Sequence, residues 1–170
     1  VNGRLPVLVG ITDTSLVEAA TLARHAADAG AQAVVTSAPY YFPLGQAELI
    51  DFVEHLLVEL PLPLYLYNMP QMTKVAFAPE TIRQLAQQKD IIGVKDSSGD
   101  LSYFQQLTGL IDVRPDWRFF IGPEHLLAES IRLGGHGGVN GGALIEPALL
   151  VQIFEAAKNG ELTKLAPLQE

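Results

Sequence analysis

Six short apolar runs recur along this chain, each closing on polar or turn-forming residues, and that recurrence limits the fold more than any other feature. They lie at residues 6–11, 33–36, 64–67, 91–95, 117–121 and 138–140. Runs rich in β-branched residues and bounded by turn signals read as buried strands. The segments between them carry helical signals. Ser15 and Glu18 form a capping box ahead of an alanine- and leucine-rich stripe that stops at Gly30. Leu49, Phe52, Val53, Leu56 and Leu60 make a second stripe, ended by Pro61 and Pro63. Pro79 opens a helix with Ile82, Leu85 and Ala86 inward. Asp100 caps one with Leu101, Phe104, Leu107 and Leu110 inward. A helix through Leu126, Leu127 and Ile131 follows the fifth run. Pro147 starts another, with Leu150, Ile153, Phe154 and Ala157 on one face, and residues 161–169 begin one more.

Strand and helix alternating at roughly 20–30 residues per unit is the βαβ rhythm. Buried parallel strands need helices on their outer faces. An open doubly wound sheet and a (β/α) barrel both fit. A whole barrel takes eight units and about 250 residues, whereas this chain of 170 residues supplies six. No linker or shift in composition marks a second domain, so residues 1–170 read as one.

Composition removes several classes of function. The net charge is −8 and no basic run of five residues occurs, which argues against a nucleic-acid partner and against an anionic membrane surface. Without cysteine there is no disulfide, thiolate catalysis or thiolate zinc site. Four dispersed histidines show no metal-ligand spacing. No apolar run reaches the roughly 20 residues of a membrane span. The run Gly137-Gly138-Val139-Asn140-Gly141-Gly142 does not match G-x-G-x-x-G and carries no Lys-Ser/Thr, so a nucleotide phosphate site is disfavoured.

The barrel reading places chemistry at the carboxyl ends of strands. Those ends carry Thr12-Asp13-Thr14, Tyr40-Tyr41, Tyr67-Asn68, Lys95-Asp96-Ser97, Gly122 with Glu124, and Asn140. Lys95 closes the run Ile91-Ile92-Gly93-Val94, where partial loss of water disfavours the ammonium form. A neutral amine can attack a carbonyl. A structural lysine with a packed stem and a solvated head fits the same stretch. Tyr67 by itself reads as a core tyrosine, and Tyr40 and Tyr41 as packing or interface residues. Glu124, in the first turn of a helix, is favoured there by the dipole alone. Ser97 equally suits a turn.

Tyr67-Asn68-Met69-Pro70, with Lys95 following 28 residues after Tyr67 inside Gly93-Val94-Lys95-Asp96-Ser97-Ser98-Gly99-Asp100, resembles the dihydrodipicolinate synthase / N-acetylneuraminate lyase family. Ala38-Pro39-Tyr40-Tyr41 and Gly134-Gly135-His136-Gly137-Gly138 resemble further signatures of that family. Its members are Schiff-base-forming class I aldolases and lyases on a (β/α)8 TIM barrel. The resemblance implies that Lys95 forms an imine with the ketone of pyruvate or another 2-oxo acid and that Tyr67 shuttles the proton. It implies that Ser97 contacts substrate and that Gly122 and Val139 line the pyruvyl group. Glu124 matches an acidic position that meets substrate hydroxyls in the sugar-acid lyases. Tyr41 matches a tyrosine that crosses a dimer contact in the synthase branch. No cofactor and no metal are implied. A cytoplasmic homo-oligomer, dimer or tetramer, is expected of the full-length protein.

Three departures qualify the match. The family holds the pyruvate carboxylate in a Gly-Thr-Thr-Gly-Glu-like loop after the second barrel strand, and no such sequence occurs here. The chain thus reads as a truncated member lacking the first two strands and the trailing helices. Its two outer strands would then expose unpaired edges, so instability or association is expected in isolation. Met72 stands where the synthase branch has an arginine for the second substrate's carboxylate, which argues against that synthase activity. The Gly-rich run lacks the residues of the better-known branches. The expected activity is a lyase or aldolase on a 2-oxo acid; a sugar-acid dehydratase, a catalytically silent barrel fragment and an unrelated phosphate-binding domain are the alternatives.

Overall fold

The computed structural model describes residues 2–169; Val1 and Glu170, the ends of the expected domain, lie outside the described residues. Six strands follow one another in the sheet in chain order, β1 to β6, giving six βα units of the (β/α)8 barrel family. The chain groups into two compact units, one through Gly93 and one from Val94. The division falls inside the fourth strand.

The first unit holds β1 (Leu8–Gly10), α1 (Leu16–Asp28), β2 (Ala33–Ser37), α2 (Gln46–Glu59), β3 (Leu64–Asn68), the short α3 (Pro70–Thr73), α4 (Pro79–Leu85) and the start of β4 (Ile91–Asp96). β1 and β2 are parallel with Leu8 opposite Ala33, and β2 and β3 are parallel with Val34 opposite Leu64 and Ser37 opposite Tyr67. Leu64 N–H donates to Asp90 O at 2.8 Å, leading into β4. Successive strand side chains face opposite ways. Val34, Thr36, Leu64 and Leu66 therefore share the covered face, and all four are fully buried. Leu49, Val53 and Leu56 of α2 and Ile82 and Leu85 of α4 are buried as well. α1 buries only small residues, Ala19, Ala20, Ala23 and Ala26, so its backbone can approach its neighbours closely. Its start is the expected one: Ser15 Oγ accepts from Glu18 N–H at 3.4 Å, and Gly30 takes a left-handed φ of 84° past its end.

The second unit holds the end of β4, α5 (Leu101–Thr108), β5 (Arg118–Ile121), α6 (Leu127–Arg132), β6 (Gly137–Gly138), α7 (Pro147–Lys158) and α8 (Leu162–Gln169). Asp100 caps α5 by accepting from Ser102 N–H and Tyr103 N–H at 2.8 and 3.1 Å. Phe104, Leu107, Leu110, Trp117, Phe119, Ile121 and Leu127 form the core. The Arg114 guanidinium lies 5.2 Å from the Trp117 ring centroid and is bound in a fork by Asp116.

Most strand ends shift by a residue from the sequence reading, and three differences are larger. β1 is three residues long. The Asn68-Met69-Pro70 segment does not simply turn; it enters α3, whose Thr73 hydroxyl bonds to Met69 O and Val75 O. The sixth strand is Gly137–Gly138 and not 138–140. Val139 N–H still reaches Ile121 O at 2.9 Å, but Asn140 donates to that carbonyl through its side chain, which ends the backbone ladder.

Candidate active site

In the first unit, Tyr67 stands at the carboxyl end of β3, half-buried, opposite Ser37 of β2. It lines a depression of about 380 Å³ with Thr12, Ser37, Tyr40, Met69, Met72 and Thr73. Thr12 Oγ1 accepts from Ser37 N–H at 3.0 Å, joining the ends of β1 and β2. Asn68, next to Tyr67, is 1% exposed, and its side-chain oxygen accepts from Phe77 N–H at 3.1 Å. Asn68 in this motif therefore anchors the chain that follows β3. Met72, five residues after Tyr67, is 70% exposed.

Tyr41 is not in that depression. It is 84% exposed with φ 89°, its ring edge-on to Phe42 at 4.9 Å. It borders another concavity of the first unit, with Tyr40, Phe42, Phe52 and His55. Tyr40, which borders both, is the aromatic that accompanies Tyr67.

In the second unit, Lys95 lies in β4 on the face opposite its neighbours Val94 and Asp96, and Ser97 follows directly after the strand. Val94 and Asp96 are buried, whereas Lys95 and Ser97 are half-buried. Asp96 accepts from Ser98 N–H and Ser98 Oγ at 3.1 and 2.8 Å. Burial, and then the charge of Asp96, push the Tyr103 phenol above its ordinary range. The motif Lys-Asp-Ser-Ser thus divides by burial: the aspartate is packed away, while the lysine and the first serine stay partly exposed.

Gly122 N–H donates to Asp96 O at 2.7 Å, which sets β5 beside β4. A Cβ on Gly122 would overlap Ser97 Oγ and lie 2.9 Å from Ser97 Cβ. The glycine is what lets Ser97 occupy its place. Glu124 Oε1 accepts from Gly142 N–H at 2.5 Å, and that bond holds its carboxyl below the usual carboxylate range. Asn140 Nδ2 donates to Gly122 O at 2.6 Å and to Ile121 O at 3.3 Å. Val139 is 50% exposed. The second unit therefore gathers Lys95, Ser97, Gly122, Glu124 and Val139 at the carboxyl ends of β4, β5 and β6. Asn140 belongs with them; the sequence showed it at a strand end, but only the geometry shows what it holds. His136, another residue of the Gly-rich run, is half-buried, and its Nδ1 accepts from Phe119 N–H at 3.2 Å. Among the described residues no group of three His, Asp or Glu side chains could hold a metal ion, and no helix is long and apolar enough to cross a membrane.

The model of the Dihydrodipicolinate synthetase family matches residues 1–170. A protein of Escherichia coli K12 named probable 2-dehydro-3-deoxy-D-pentonate aldolase is 34% identical over 100% of this chain and 57% of its own length. The structure of dihydrodipicolinate synthase from Bacteroides thetaiotaomicron is 55% identical, with a TM-score of 0.93, over 99% of this chain and 56% of that one. A prophage protein of the dihydrodipicolinic acid synthase family from E. coli K12, solved in complex with pyruvate, is 29% identical with a TM-score of 0.92, over 99% and 57%. The chain thus spans somewhat more than half the length of these relatives.

Proposed function

Because this chain belongs to the dihydrodipicolinate synthetase family, we propose that it supplies the imine-forming lysine and the proton relay of a class I lyase or aldolase acting on pyruvate or a related 2-oxo acid. The observation that carries the reading is Lys95: half-buried near the end of β4, two residues before Ser97, which is seated against Gly122. The relative solved with pyruvate supports the substrate class.

The Lys95 amine adds to the ketone carbon and water leaves, giving a protonated imine. That cation is an electron sink. It stabilises the carbanion left when the C3–C4 bond breaks, or formed when C3 loses a proton before condensation. Tyr67 is assigned the proton relay to and from the carbonyl oxygen of the departing or entering aldehyde. Ser97, Gly122 and Val139 are assigned the contacts around the pyruvyl group.

Between the branches, an aldolase for a hydroxylated 2-oxo acid is favoured over the synthase. Exposed Met72 offers no charge to a second carboxylate, and the E. coli relative is named for a deoxy-sugar acid. Exposed Tyr41 and Phe42 support a homo-oligomer, dimer or tetramer, in the full-length protein. A cytoplasmic location is part of this reading and rests on the family assignment.

The test is to incubate the chain with pyruvate, reduce with borohydride and map the adduct by mass spectrometry. A stable adduct on Lys95, lost in Lys95→Arg, is expected. Adducts spread evenly over Lys74, Lys89, Lys158 and Lys164, or no loss in Lys95→Arg, would overturn the assignment.

A further inference from the structure

Two side chains cross between the loop after β5 and the loop after β6, in opposite directions. Asn140, from the second loop, donates its Nδ2 to Gly122 O at 2.6 Å in the first. Glu124, from the first, accepts Gly142 N–H from the second at 2.5 Å. Glycines flank both links. A Cβ on Gly138 would come 2.7 Å from Asn140 Cγ; Cβ atoms on Gly141 and Gly142 would come 3.4 and 3.3 Å from Glu124 Oε1. The Gly-rich run, which matches no phosphate motif, is thus shaped to let two polar side chains reach backbone groups.

The Asn140 link ends on Gly122, two residues before Glu124. The Gly122 N–H is bound to Asp96 O at 2.7 Å, its carbonyl is held by Asn140, and its α-carbon is the surface on which Ser97 rests. Ser97 follows Lys95 by two residues, one past the end of β4.

We propose that Glu124 and Asn140 are paired positioning residues, a two-sided latch that holds Gly122 against Ser97 and so fixes the surface beside the Lys95 amine, rather than readers of substrate hydroxyls. This rests on the imine role of Lys95. A latch acts before any hydroxyl is bound, so it affects every 2-oxo acid alike. A hydroxyl reader affects only hydroxylated substrates.

Pyruvate, which has no hydroxyl substituent, separates the two. In Glu124→Ala and in Asn140→Ala the rate of borohydride-trapped adduct formation with pyruvate falls about tenfold or more, as expected when a reacting surface is misplaced. Glu124→Gln, which keeps a side-chain oxygen for Gly142 N–H, recovers most of the rate. Amide exchange at Gly142, read by NMR on glycine-labelled chain, speeds up in Glu124→Ala and stays slow in Glu124→Gln. Trp117 fluorescence confirms that each variant is folded. An unchanged Gly142 exchange rate in Glu124→Ala overturns the latch. So does normal trapping of pyruvate combined with a loss confined to hydroxylated 2-oxo acids. If wild type forms no adduct at Lys95, the imine reading fails by itself and Gly142 exchange alone decides the latch.

Discussion

Gly122→Ala puts the contact between the ends of β4 and β5 to a quantitative test. The added Cβ overlaps Ser97 Oγ, lies 2.9 Å from Ser97 Cβ and 3.4 Å from Asp96 O. Rotation about χ1 can move the hydroxyl but leaves Ser97 Cβ in place. The backbone cannot drift apart freely, because Gly122 N–H is bound to Asp96 O at 2.7 Å and Gly122 O to Asn140. Overpacking of this kind costs about 1–3 kcal/mol; with two of the three close atoms unable to move, about 2 kcal/mol is expected. For a chain of this size that lowers Tm by about 4–8 °C. Trp117, the single tryptophan, is fully buried in the same unit, so its fluorescence during urea unfolding reports the loss locally. Ser97→Gly in the same chain removes both clashing side-chain atoms and should restore more than half of it. Gly109→Ala is the control: its Cβ meets nothing within 4 Å, and the change should be neutral or slightly stabilising. A loss below about 0.5 kcal/mol in Gly122→Ala, or no recovery with Ser97→Gly, would refute the packing argument.

Asn68→Ala removes the side-chain acceptor of the bond from Phe77 N–H and should cost about 1–3 kcal/mol, read by urea unfolding followed by circular dichroism. Asp100→Ala frees two amides at the start of α5 and should cost about 1 kcal/mol, with Asp100→Asn recovering most of it. Burial and then the Arg118 charge hold the His136 imidazole below its ordinary 6.5, and its Nδ1 accepts a backbone N–H only while unprotonated. The unfolded chain therefore binds this proton more readily, so the stabilisation is complete above about 6.5 and is lost as pH falls through the lower folded value. Trp117-monitored unfolding across that range should show the loss, and a His136→Gln variant that keeps the same acid sensitivity would exclude His136 as its source. Leu8 of the outer strand β1 is 39% exposed, and light scattering should show association of the chain; a compact monomer that melts cooperatively would count against it.

The strand–helix order was legible because burial imposes a period of two on strands and 3.6 on helices, and because caps such as Ser15, Asp100 and Pro147 have local signatures. α3 escaped: its four residues show too short a period, and its Thr73 hydroxyl donates to backbone carbonyls on either side. Gln46 escaped for another reason. Its side-chain oxygen accepts from Ala78 N–H and the Thr81 hydroxyl, more than 30 residues away, and no local pattern marks such a partner.

The chemical inventory belongs to the sequence: a lysine and a tyrosine at strand ends, no thiol, no metal spacing, and the family motifs around them. Local order suffices for that, since a strand's end and the face of each residue on it follow from alternation along a few residues. Which groups engage each other is a tertiary outcome. Seating Ser97 on Gly122, committing Glu124 to the Gly142 amide and passing Asn140 across to Gly122 all depend on loops 18 or more residues apart being brought within hydrogen-bond distance, and only packing of the strands and helices between them sets that distance.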